Sequence, residues 1–240
     1  MTNYWEELTR LGESGFLLPL GLLLWFWLVF ARCFRASFIW AAAFGFAVLA
    51  VVASKIAFLG WGIGIPSLNF TGFSGHTMLA AALFPALAYS MSKPEYPRLR
   101  AAAVLGAFVL AFLIAVSRVT LDAHSVSEVI AGFLLGAAAA LALIGFAPLG
   151  GRAVLPVWVV LVAVALSGAL SIGHRVPSHQ IIVTMALKLS GHEHPYRRAP
   201  WLLHPDAPLA LRDLEAVRVS TLPAPGVNAR TLDVVLGVPA

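Results

Sequence analysis

The stretch Val116–Gly132 reads VSRVTLDAHSVSEVIAG. Apolar runs flank it on both sides, and its Arg118, Asp122 and Glu128 are the only charged residues between positions 101 and 151. A chain that is apolar for about 20 residues, turns through a short polar segment and becomes apolar again reads as two spanning helices meeting at a membrane surface. That reading sets the fold class: helical, and built for a bilayer.

The composition agrees. The chain has 240 residues, of which 60% are hydrophobic and 11% charged, and its mean hydropathy is +0.88. A soluble domain is about 25% charged. The net charge of +5 and pI near 9.9 do not point to nucleic acid, because the basic residues form no run with interleaved aromatics. Cys33 is the only cysteine, which excludes an intrachain disulfide and a cysteine metal cluster. Glu6, Glu7 and Glu13 outnumber Arg10 before the first apolar run, whereas a signal peptide starts positive. That run is therefore expected to stay as a membrane helix.

Six candidate spans follow, at residues 15–31, 37–59, 75–91, 101–117, 125–147 and 154–172. The expected architecture is an all-α, six-span bundle. Residues 1–14 form an extramembrane segment, 15–172 the membrane domain, and 173–240 an extramembrane tail of unassigned role. Small residues crowd the fifth span as AGFLLGAAAA, which suits close helix packing and needs no chemistry. In the tail, His179–Gly191 (HQIIVTMALKLSG) fits a short helix or a strand. Its histidines, His174, His179, His192 and His194, lack a ligand spacing such as HExxH, so no metal and no cofactor are expected.

Charge sorts the connections. Arg32, Arg35, Lys93, Arg98, Arg100 and Arg152 fall at one set of loops; Lys55, Arg118, Asp122 and Glu128 meet the other. By the positive-inside rule the first set is cytoplasmic. The second set, with both termini, then faces the exterior or periplasm, as in a bacterial inner-membrane protein.

Ionisable groups at membrane depth are costly and usually mark a functional cavity. Each one here has an ordinary explanation. Lys55 can snorkel from a helix end. His76 can be interfacial, Arg118 can cap carbonyls, and Asp122 fits a plain loop residue. Ser125-x-x-Glu128 fits a capping box. What these do not explain is convergence: a lysine, two histidines and an arginine reach one membrane face from three parts of the chain, each at a helix end. Their chemistry suits phosphate. Ser74 and Gly75 would stand at a helix N-terminus, where free N–H groups favour an anion. Arg118 offers a planar fork, and Lys55 a mobile charge. One histidine can attack phosphorus while the other protonates the leaving oxygen. His124 and Glu128, four apart, share a helical face, so the carboxylate can hold one ring nitrogen and leave the other nucleophilic.

These residues resemble the type 2 phosphatidic acid phosphatase family, membrane lipid phosphatases related to vanadium haloperoxidases. Its motifs are K-x6-R-P, P-S-G-H and S-R-x5-H-x3-D. Here Phe73-Ser74-Gly75-His76 stands for the second, Ser117-Arg118-x5-His124-x3-Glu128 for the third, and Lys55 lies where the first begins. Gly62 and Ile63 replace the Arg-Pro pair, Phe73 replaces proline, and Glu128 replaces aspartate. The resemblance covers residues 15–172. It implies His124 as nucleophile, His76 as general acid and Glu128 as the residue orienting His124. It also implies Lys55, Ser74, Gly75 and Arg118 as phosphate ligands, and no metal. The expected activity is hydrolysis of a lipid phosphomonoester or diphosphate, such as a polyprenyl diphosphate, through a phosphohistidine. The alternatives are a lipid phosphotransferase with the same site, a non-catalytic lipid-phosphate binder, or a proton-coupled transporter.

Overall fold

The computed structural model describes residues 2–171 and 178–198. Its helices are α1 (Thr2–Arg10), α2 (Ser14–Phe30), α3 (Phe34–Trp61), α4 (Gly75–Met91), α5 (Pro97–Thr120), α6 (Val126–Phe146), α7 (Val157–Ser171) and α8 (Ser178–Ser190). The chain divides into two compact units, Met1–Pro195 and Tyr196–Ala240, and these eight helices belong to the first. Among the described residues there is no strand, only one isolated bridge between Ile65 and Phe70. The described residues form an all-α fold.

Every expected span coincides with a helix, but not every helix is a full span. Among the described residues, four runs are long and apolar enough to cross a bilayer: Tyr4–Phe30, Phe34–Trp61, Pro97–Thr120 and Val126–Phe146. This is an integral membrane protein by length and composition of its helices. The expected count of six meets two shorter helices, α4 with 17 residues and α7 with 15. The expected first span, 15–31, coincides with α2, and the short α1 precedes it.

Helix α4 is the core. Leu79, Ala80, Ala81, Ala82, Leu83 and Ala86 are all buried, and α2, α3, α5 and α6 surround the helix. The small residues of α6 explain how closely α6 packs on α4. A Cβ on Gly132 would stand 2.7 Å from the Ser74 carbonyl oxygen, and one on Gly136 would collide with that of Met78. This is small-xxx-small packing, which lets two backbones touch. Helix α3 stops at Gly62, whose φ of +67 is left-handed. Its N–H reaches the Phe58 carbonyl at 2.8 Å and that of Ile63 reaches Ala57 at 3.3 Å, so the last carbonyls of the helix are satisfied.

At the end where α5 starts, Arg100 bonds the Tyr89 carbonyl at 3.1 Å and its guanidinium lies 3.6 Å over the Tyr89 ring. At the other end the chain gathers its polar groups. The His179–Gly191 stretch, ambiguous in sequence, is the helix α8. It packs on α3, and just beyond it His192 Nδ1 lies 2.8 Å from the Gly60 carbonyl. The compact unit thus runs beyond residue 172, where the tail was expected to begin. His174 lies outside the described residues.

Candidate active site

The site is built from four helix ends. Ser74 is the N-cap of α4 and Ser125 that of α6; Arg118 lies in the last turn of α5. Lys55 lies two turns before the end of α3. Two close contacts lock the ends together. Ser74 N–H donates to the Glu128 carbonyl at 3.1 Å, directly beside the Gly132 contact. Ser127 Oγ donates to the Leu68 carbonyl at 2.7 Å, pinning the α3–α4 loop to α6.

Glu128 is fully buried and uses both carboxylate oxygens. Oε2 lies 2.7 Å from His124 Nδ1 and accepts the Ser125 N–H at 3.3 Å. Oε1 accepts both the backbone N–H and the hydroxyl of Thr71, at 2.8 and 2.5 Å. Ser125 Oγ returns a bond from the Glu128 N–H at 3.4 Å, completing a capping box. The cap and the histidine contact, which sequence offers as alternatives, therefore coexist on one oxygen. His124 is 13% exposed, with Nδ1 fixed on Glu128. Burial lowers its pKa below the ordinary histidine value; the Glu128 bond and charge pull the other way, and Lys55 and Arg118 add to the lowering.

The basic side chains lie near one another. His76 lies within electrostatic reach of Lys55, Arg118 and His124. A Cβ on Gly75 would stand 3.9 Å from Lys55 Nζ, so the ammonium reaches the first turn of α4. Arg118 Nη1 donates to Thr9 Oγ1 of α1 at 2.8 Å, while its buried Nε has no hydrogen-bond partner among the described residues. Gly12 backs onto His76: a Cβ there would lie 3.2 Å from His76 Cβ.

Other polar groups turn elsewhere. Ser74 Oγ lies 3.0 Å from Thr77 Oγ1, and Ser117 Oγ donates to the Ile114 carbonyl at 2.6 Å. Asp122 is exposed in the α5–α6 turn at φ +51, an ordinary loop residue. Among the described residues no three His, Cys, Asp or Glu side chains gather as a metal site.

The departures from the family pattern have local causes. Phe73 donates its N–H to Ser54 Oγ at 3.2 Å, a bond a proline could not make. Its ring meets that of Phe70 edge-on at 5.4 Å. Gly62 holds the left-handed stop of α3. Sequence reasoning missed Thr71, Thr9, Gly12 and Ser54. Thr71 lay in plain view, three residues before Ser74 in the polar run; Thr9 carried no signal, being 109 positions from Arg118.

Comparisons with known proteins find a family model and several relatives. The PAP2 superfamily model matches residues 61–150. An uncharacterized 22.5 kDa protein in the cps region of Klebsiella pneumoniae is 44% identical over 135 residues, 56% of this chain and 65% of that protein. Phosphatidylglycerophosphatase B of Bacillus subtilis (strain 168) is 39% identical over 70 residues, 28% of this chain and 34% of that protein. The crystal structure of a transmembrane PAP2 type phosphatidylglycerolphosphate phosphatase from Bacillus subtilis is 28% identical. It covers 60% of this chain and 75% of that one, with a TM-score of 0.47. The chain thus spans just under two thirds of the first relative's length and about a third of the second's. Lys55 precedes the segment that the PAP2 superfamily model matches, but Ser74, Gly75, His76, Arg118, His124 and Glu128 all lie inside it.

Proposed function

We propose that the protein is a membrane lipid phosphatase that works through a phosphohistidine and needs no metal. The observation that carries this is the 2.7 Å contact of His124 Nδ1 with buried Glu128, at the helix end where Lys55, His76 and Arg118 converge. A carboxylate on Nδ1 fixes the proton there and leaves the Nε2 lone pair free to attack. Nε2 forms a bond to phosphorus as the phosphorus–oxygen bond to the lipid breaks. The departing oxygen takes a proton from His76, whose charged form a bound phosphate dianion favours. Water then attacks the phosphohistidine, giving its proton to His76 and releasing phosphate and neutral His124. Lys55, Arg118 and the first N–H groups of α4 hold the equatorial oxygens. The unpartnered Nε of Arg118 fits a guanidinium waiting for an anion.

The substrate class follows from the setting: a phosphate ester or diphosphate at the end of a hydrocarbon chain, presented at the membrane surface. Phosphatidylglycerophosphate is the first candidate, because a relative 39% identical over 70 residues is named for it. Phosphatidate and polyprenyl diphosphates complete the panel. The charge pattern of the loops supports a site on the exterior or periplasmic face. The test is phosphate release by purified protein from these lipids, with and without EDTA and vanadate, against His124→Ala. Release that survives EDTA, yields to vanadate and vanishes in the variant is the expected result. Release by His124→Ala at the wild-type rate would end the phosphohistidine reading.

A further inference from the structure

We propose that Thr71 is a positioning residue: its hydroxyl and backbone N–H together fix the Glu128 carboxylate that orients His124. The proposal rests on the reading of His124 as nucleophile and deepens it. The two oxygens of Glu128 are assigned to two sides. Oε2 faces His124 and Ser125, while Oε1 takes both donors from Thr71. Glu128 is buried, and a buried carboxylate keeps its charge only where donors meet it. Without the Thr71 pair the carboxylate could rotate about its last torsion, and the line from Oε2 to Nδ1 would rotate with it.

Thr71 itself is held. Gly72, at φ +147, would bring a Cβ within 3.1 Å of Ser54 Oγ, so this backbone suits glycine alone. The same Ser54 hydroxyl takes the Phe73 N–H. On the other side of Thr71, Ile65 and Phe70 exchange two backbone bonds at 2.9 and 3.1 Å, and Leu68 is tied to Ser127. The loop thus presents Thr71 to α6 from anchors on α3 and α6. A glutamate in place of the family's aspartate adds the methylene that carries the carboxylate toward this loop.

The test uses Thr71→Val, Thr71→Ala and Thr71→Ser. Valine and alanine remove the hydroxyl and keep the backbone N–H. With one donor lost, Glu128 binds the imidazolium harder than the imidazole, and His124 should titrate at higher pH. The charged and titratable groups facing His124, namely Glu128, Lys55, Arg118 and His76, stay in place, so a shift reads the lost hydroxyl. The titration is followed by NMR of histidine-labelled protein in detergent, with the His124 signal identified by its loss in His124→Ala. The expected result is an upward shift of about half a pH unit in both variants, restored by serine. On a soluble aryl phosphate, kcat should fall about tenfold with KM little changed, the size expected for one hydrogen bond to a charged group. An unmoved titration in Thr71→Val and Thr71→Ala, or serine behaving like valine, overturns the proposal. Wild-type protein that releases no phosphate sinks the phosphatase reading instead, and the titration still decides the role of Thr71.

Discussion

Gly132 of α6 lies against the backbone of Ser74, so close that a Cβ would sit 2.7 Å from its carbonyl oxygen and 3.2 Å from its nitrogen. Packing and chemistry meet at this contact, because Ser74 opens the helix that carries His76. Gly132→Ala should force the α4 start away from α6 and cost about 1–3 kcal/mol of stability, the usual cost of overpacking. Gly136→Ala should destabilise similarly but leave turnover largely intact, since its clash falls a turn deeper, at Met78. Gly145→Ala, with open space around it, is the neutral control. Thermal melts beside phosphate-release rates separate the three; equal loss of turnover in both clashing variants would refute the local reading.

Glu128→Gln should cut turnover by roughly three to four orders of magnitude while the protein stays folded, the scale seen when a histidine is left in the wrong tautomer. Thr71 offers two donors to Oε1, so the amide must turn its oxygen there. Its NH₂ then faces His124 Nδ1, the ring proton moves to Nε2, and the attacking lone pair is gone. A single-turnover assay with a melt checks this. A variant of near wild-type rate would leave Glu128 only its capping role, worth about 1 kcal/mol.

The pH profile should carry the signature of a buried histidine. The pKa of His124 lies below the ordinary value of 6.5, chiefly through burial. Neutral His124 is the reactive form, so the acid limb of kcat/KM should lie below 6.5. Removing a nearby cation with Lys55→Met should move that limb upward, alongside a loss of phosphate affinity. Stability follows the same sign. The unfolded state takes up the proton first, so stability should fall as pH drops through the unfolded value.

Orientation is testable apart from chemistry. With Cys33 replaced, a cysteine at Asn69 should react with an impermeant thiol reagent in intact cells, and one at Ser92 should be protected. The reverse pattern would place the site in the cytoplasm and exclude substrates presented on the outer leaflet.

The sequence made the helix-bound part of the site readable. His124 and Glu128 are four apart, and the helical period alone puts them on one face, as does the capping-box spacing of Ser125 and Glu128. The bounds of α4 were readable too: the expected span 75–91 is the helix Gly75–Met91, because the polar Ser92 and Lys93 end the apolar run. What could not be read were contacts set by tertiary packing. No periodicity joins Thr9 to Arg118, or Thr71 to a carboxylate 57 positions away. Residues 178–190 stayed ambiguous in sequence for the same reason: packing against α3 decides them as helix.

The left-handed stop at Gly62 bears on how such a sequence can change over time. The family's arginine would occupy this residue, seven after Lys55, and its proline the next. At φ +67 any side chain costs about 1–2 kcal/mol, and a proline at Ile63 would lose the bond to the Ala57 carbonyl. Neither motif residue can be introduced alone without a penalty; both would need a new ending for α3. Single substitutions that restore the motif on paper should therefore lower stability rather than raise it.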